Sequence, residues 1–287
     1  MEEGRVPHLG PEAARAEPKP NGPAAREHLG WIIYESGPAN AQHAILMIPG
    51  GLCPWAFYED VVAELQRRGA GLRFVATTIP GHAGTPPPED LSQEAYARSA
   101  GQLAKDLGCD IVVGHSMGAN IAVEMAALGT FSGPLVLLSP CFSREDEPRF
   151  LWILDRIGRV PALGILAWTA LTRMIPAGMK SFIPPHHREA WTAELKKNDG
   201  RFFRAAIRHY YEHMVAHGSL VGRLCESHVR AWVVFGGPKD TGLKDEERRG
   251  LDACPTITMI DWPDAGHNTL GQTAAVADLI IEVAQQA

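Results

Sequence analysis

The stretch Ile111-Val112-Val113-Gly114-His115-Ser116-Met117-Gly118-Ala119 decides the fold of this 287-residue chain. A short, unbroken apolar run, 111–113, ends at Gly114. An alanine-rich apolar stretch, 119–128, begins after Gly118. The first reads as a strand covered on both faces and the second as a helix. A serine between two glycines at their junction marks a sharp strand-to-helix turn. The turn is so tight that the residues two before and two after the serine must be nearly free of side chain. It lifts the Ser116 hydroxyl clear of the sheet, beside a helix N-terminus that favours developing negative charge. Gly-x-Ser-x-Gly alone is common by chance, but between a strand and a helix it marks a nucleophile.

On both sides of this turn, short β-rich runs alternate with longer amphipathic ones. Strands are predicted at 31–34, 44–48, 73–78, 110–113, 135–138, 231–235 and 257–260, and helices at 55–68, 92–107, 117–128 and 269–284. This alternation implies an α/β fold with a doubly wound, mostly parallel sheet. One interval breaks the rhythm. Residues 141–227 contain no good strand and read as helices at 150–157, 163–174, 187–196 and 202–217, a helical cap inserted into a core formed by 28–140 and 228–287. Residues 1–27 are rich in Pro, Ala, Glu and Arg and almost devoid of large apolar residues, so they read as a disordered leader.

Hydrophobic residues make up 45% of the chain and charged ones 21%, ordinary for a globular protein. A net charge of −6, a pI near 6.1 and the lack of a basic stripe argue against a nucleic-acid partner. The longest apolar stretch, 160–179, is broken by Pro161, Gly164, Arg173 and Pro176, which argues against a membrane span. The five cysteines are scattered, without a CxxC pair. No secretory signal is apparent, so reduced thiols in a cytoplasmic protein are expected.

Further motifs follow the same order as the elements. Ile48-Pro49-Gly50-Gly51-Leu52 ends the second strand, and Pro80-Gly81-His82-Ala83-Gly84-Thr85 follows the third. Gly237-Pro238-Lys239-Asp240 follows the strand at 231–235, and Ala265-Gly266-His267 precedes the last helix. With the turn at Ser116, these resemble the α/β-hydrolase family over residue 29 to the C-terminus. The departures are Pro49 at a usual histidine position and Ala83 at a usual glycine.

The resemblance implies a catalytic triad in the order Ser116, Asp240, His267. A serine hydroxyl needs a base to take its proton, and His267 is that candidate. The base needs a carboxylate to fix its tautomer. Asp240 is expected, with Glu145 or Asp146 the alternative some members use and Asp245 a weaker competitor. Oxyanion-hole donors are expected from the backbone N–H of Met117 and of Gly51, with Leu52 next. Leu52, Trp55, Trp152 and Trp168 are pocket-wall candidates. His115 is expected to pack or tune, and His82 to stabilise its turn. His209, His213 and His217 share one helix face, but no acidic pattern accompanies them, so they read as a lid face rather than a metal site.

The expected activity is two-step hydrolysis of a small to medium apolar ester, in the manner of a carboxylesterase or lipase. No metal or organic cofactor is expected, and the partner is a small-molecule acyl substrate. A thioesterase or lactonase, a C–C bond hydrolase, and a non-catalytic ligand receptor on the same fold are the alternatives. Haloalkane dehalogenases and epoxide hydrolases of this fold use aspartate where this chain has Ser116.

Overall fold

The structure is a computed structural model that describes residues 25–147, 149–178, 183–237, 240, 242–267 and 269–287. Among them, eight strands form one sheet: β1 (Arg26–His28), β2 (Trp31–Ser36), β3 (Ala44–Ile48), β4 (Arg73–Thr78), β5 (Ile111–His115), β6 (Leu135–Leu138), β7 (Ala231–Gly236) and β8 (Ile257–Trp262). Their order is β1-β2-β4-β3-β5-β6-β7-β8. β2 pairs antiparallel with β1 and β4, and every later pairing is parallel. The sheet is therefore mostly parallel, as the apolar runs implied.

β1 corrects the expected leader, because Arg26 and Glu27 lie in the sheet. Both side chains are exposed and polar, so no hydrophobic pattern marked them. The strand forms through backbone pairing with β2 across Leu29-Gly30, which have φ of 53° and 80° as a tight hairpin turn requires. Residues 1–24 of that leader, like Pro238 and Lys239 of the acid motif, lie outside the described residues.

The helices are α1 (Glu59–Arg67), α2 (Gln93–Asp106), α3 (Met117–Ala127), α4 (Arg149–Gly158), α5 (Pro161–Gly178), α6 (Arg188–Leu195), α7 (Gly200–His217), α8 (Val221–Glu226), α9 (Asp245–Asp252) and α10 (Thr273–Gln286). α2 starts at Ser92, whose hydroxyl accepts the Ala95 N–H at 3.2 Å. Within β5 the side chains alternate. Val112 joins Ala100 and Leu103 of α2 and Val123 of α3 in one core. Ile111 and Val113 join Val61 and Leu65 of α1 and Ile280 and Val283 of α10 in the other. Period-two alternation under helices on both faces makes the sheet doubly wound. α9 was not expected, since it buries only Glu247 and Leu251 and so carries no apolar stripe.

Between β6 and β7 lie α4 to α8, with no strand among the described residues. Trp168, Trp191 and Phe203 of this segment pack with Leu52 and Phe57, while Tyr210, Tyr211 and Met214 join the core beneath α2 and α3. None of the described helices is long and apolar enough to cross a membrane.

Cys225 and Cys254 form a disulfide between α8 and the end of α9, which corrects the expectation of five reduced thiols. The pairing depends on how these two helices pack, so spacing in sequence does not reveal it. Cys53, Cys109 and Cys141 are free and buried. Burial pushes the Cys53 and Cys109 thiols up to about 12, which suits packing and not nucleophilic chemistry.

Candidate active site

The turn at Ser116 is enforced by close backbone approach. A Cβ on Gly114 would lie 2.5 Å from the Gly118 carbonyl oxygen, and one on Gly118 would lie 2.2 Å from that of Ile48. Ser116 adopts φ 51° and ψ −120°, a conformation costing about 1–3 kcal/mol. Its N–H donates to the Leu138 carbonyl and its carbonyl accepts the Ala119 N–H, both at 2.9 Å, so strand and helix hold it from either side.

His267 lies in the loop between β8 and α10. Its Nε2 is 3.1 Å from Ser116 Oγ, and its Nδ1 is 2.9 Å from Asp240 Oδ1. A carboxylate only accepts, so the ring proton sits on Nδ1 and the Nε2 lone pair faces the serine hydroxyl. The Asp240 carboxylate is fully buried. Its other oxygen accepts a 2.8 Å hydrogen bond from Ser139 Oγ and one from the Gly236 N–H. These donors stabilise a charge that burial alone would oppose.

The competing acids are occupied elsewhere. Asp146 accepts the N–H groups of Phe142 and Ser143, at 2.9 and 2.8 Å. Burial, with Glu247 close by, pushes its carboxyl up to about 7. Glu145 pairs with Lys244 at 2.9 Å.

His115 braces His267. Its ring is buried and stacks on Phe57 at 4.7 Å. Burial pushes its pKa down to about 3, so it is neutral, and its Nε2–H donates to the His267 carbonyl at 2.7 Å. It holds the loop that carries His267.

The loop after β3 passes against Ser116. A Cβ on Gly50 would lie 3.4 Å from Ser116 Cβ, and one on Gly51 would lie 3.5 Å from Met117 Sδ. The Leu52 N–H is committed elsewhere, donating to His82 Nδ1 at 2.9 Å. This removes Leu52 as an oxyanion donor and gives His82 a task beyond its own turn. Burial pushes His82 down to about 4, so its ring is neutral and can accept. The Leu52 carbonyl accepts from Asn198 Nδ2 at 3.1 Å, and Asn198 Oδ1 accepts the Ala83 N–H at 2.9 Å. One side chain between α6 and α7 thus bridges the Gly50-Gly51 loop and the Pro-Gly-His loop.

Of the expected pocket walls, Trp55 packs against the apolar cluster that holds Leu52 and Trp168. Trp55 stacks on Tyr34 of β2 at 4.3 Å, and its backbone N–H donates to Thr78. Trp152 is 40% exposed, beside the guanidinium groups of Arg144 and Arg156. Leu52 and Trp168 are buried, and Trp168 meets Phe203 edge-on at 5.5 Å. Phe203, not singled out from sequence, lies 3.8 Å from where a Gly51 Cβ would stand. No local signal marks it, since only the docking of α7 onto the Gly51 loop distinguishes it from the other aromatic residues of that helix.

Residues 45–279 match the profile of the Alpha/beta hydrolase family. No curated protein sequence matches the chain. Similar solved structures include an esterase from Exiguobacterium antarcticum (13% identity, TM-score 0.67, covering 88% of this chain and 94% of that one). Another is the thioesterase domain from the curacin biosynthetic pathway (18%, 0.62, 88% and 95%). A third is MenH from S. aureus (15%, 0.66, 89% and 98%). At these identities the likeness is one of fold alone.

Proposed function

The chain belongs to the alpha/beta hydrolase family, and from that premise we propose that it is a serine hydrolase cleaving small to medium apolar carboxylic esters. The observation carrying this reading is the continuous relay from Ser116 Oγ through His267 to the buried Asp240, at 3.1 and 2.9 Å. Ser116 attacks the ester carbonyl while His267 Nε2 takes its proton. Asp240 stabilises the imidazolium at Nδ1. The oxyanion is met by the backbone N–H groups of Met117 and Gly51. His267 then gives the proton to the leaving alcohol. Water, activated by the same nitrogen, releases the acid from Ser116. All these groups belong to the chain itself, and the steps call on no cofactor.

The segment 141–227 acts in this reading as a cap whose α7 bounds the acyl site through Phe203. The test is a panel of p-nitrophenyl esters of graded chain length, run beside acyl thioesters and lactones. Turnover highest on short to medium esters is the expected result. Preference for thioesters would reassign the substrate class while keeping the triad, and binding without turnover on every class would make the protein a receptor.

Asn198 tests the grip on the oxyanion loop. Asn198→Asp keeps the acceptor for Ala83 and loses the donor to Leu52. Removing an oxyanion donor outright costs about 10²–10³ in kcat. Loosening the loop that carries one is expected to cost about tenfold, with KM little changed. Steady-state kinetics on a p-nitrophenyl ester checks this, and an unchanged kcat would mean the loop is held without Asn198.

Phe203→Ala is expected to move the optimum towards longer acyl chains, changing the ratio of kcat/KM between neighbouring substrates by about ten- to a hundredfold. A folded variant with the wild-type chain-length profile would place the acyl wall elsewhere.

A further inference from the structure

Helix α7 carries three histidines at four-residue spacing, and the fold adds the acid that the local sequence lacks. Glu94, in the first turn of α2, brings Oε1 to 3.1 Å from His213 Nδ1 and 4.0 Å from His217 Nε2. The three ligand atoms lie within 4.8 Å of one another. In a tetrahedral zinc site, with bonds of about 2.0–2.2 Å, ligand atoms stand about 3.3–3.5 Å apart. Small side-chain adjustments reach that geometry. His209 stays outside the group, near Glu212.

The far side of His213 is built as metal sites are built. Its Nε2 lies 3.4 Å from Oε2 of Glu124, a carboxylate only 1% exposed. Glu124 is gripped by both Nε and Nη2 of Arg223. A fixed carboxylate behind an imidazole keeps the proton on the rear nitrogen and turns the lone pair of the other towards an ion, as second-shell carboxylates do around zinc histidines. In front, Glu94 and His217 are 35% and 30% exposed, so an ion and a water as fourth ligand can enter from solvent. Two imidazoles and one carboxylate suit zinc-class ions better than magnesium or calcium, which favour all-oxygen shells.

We propose that Glu94, His213 and His217 bind a divalent cation of the zinc class, which fastens α7 to α2. Because α7 belongs to the segment between β6 and β7, a bound ion ties that segment to the helix layer on the sheet. The site shares no residue with the relay at Ser116. A second trio, Asp60 with His186 and His187, serves as an internal control. The carboxylate behind His187 is the exposed Glu59, 3.6 Å away, so that group lacks a fixed buried support.

The experiment uses the full chain, stripped with chelator, dialysed and titrated with zinc chloride by calorimetry and thermal unfolding. Cobalt(II) serves as a spectroscopic probe. The expected result is a tight site with a rise in Tm on zinc and the intense visible bands of tetrahedral cobalt. Glu94→Gln and His217→Ala, both at partly exposed positions, should each weaken zinc binding at least tenfold while leaving the metal-free Tm within a few degrees. His186→Ala should leave the binding unchanged. Absence of zinc binding in the wild type, undiminished affinity in both variants, or loss of binding in His186→Ala would each overturn the proposal.

Discussion

Ser116→Ala is expected to lower ester turnover by about three to six powers of ten while the protein stays folded. The loss is large because no other group in the relay can form the acyl-enzyme. His267 then faces a methyl group, and water must attack the ester directly. What remains is the contribution of the oxyanion donors and of binding, so KM should change far less than kcat. The fold should persist because the turn does not depend on the hydroxyl. It needs glycine at 114 and 118, where a Cβ would collide with the Gly118 and Ile48 carbonyls, and it is held by backbone bonds to Leu138 and Ala119. Alanine meets the same penalty at φ 51° as serine does, so Tm should stay within a few degrees. A fluorophosphonate probe should label the wild type and not the variant. Labelling or near-wild-type turnover in purified Ser116→Ala would show that the nucleophile lies elsewhere.

What could be read before the fold was known follows from the range of each interaction. The buried strands announce themselves because a strand covered on both faces must be apolar, and β3, β5, β6 and β7 were legible on that ground, while β2 and β8 are only partly buried. β1 was not, since its two exposed polar residues owe their place to backbone pairing alone. Ser116, Asp240 and His267 each sit on a loop with a local signature. Which partners hold the site together is not legible in this way, because most of those contacts join distant parts of the chain. Ser139 is 101 residues from Asp240, His115 is 152 from the carbonyl of His267, and Asn198 is 146 from Leu52. The surroundings of Trp55 and Trp152 were hidden for a related reason. An aromatic residue near a motif declares burial of some kind, but the face it turns to the site depends on tertiary packing. Glu94 completes the same lesson, since it meets His213 and His217 only where α2 and α7 pack together.

The relay's acid offers the other large effect. Asp240→Asn is expected to lower kcat by about four powers of ten with KM little changed, and the surroundings of the carboxylate give the reason. Asp240 Oδ2 accepts from Ser139 Oγ and from the Gly236 N–H. The backbone donor cannot become an acceptor, so asparagine must turn its carbonyl oxygen to that side. Its NH₂ group then points at His267 Nδ1, where Oδ1 stood at 2.9 Å. An amide N–H facing Nδ1 demands a lone pair there, and the ring proton moves to Nε2. That nitrogen faces Ser116 Oγ at 3.1 Å and, once protonated, can no longer take the serine proton. The variant is nearly isosteric, so Tm should report a folded protein in which the base holds the wrong tautomer. NMR of ring nitrogens labelled in His267 should see the proton move from Nδ1 to Nε2. Glu145→Gln and Asp146→Asn, whose wild-type carboxylates engage Lys244 and the backbone of Phe142 and Ser143, should keep turnover within about tenfold of wild type. An active Asp240→Asn beside an inactive, folded Asp146→Asn would move the acid to the loop after β6.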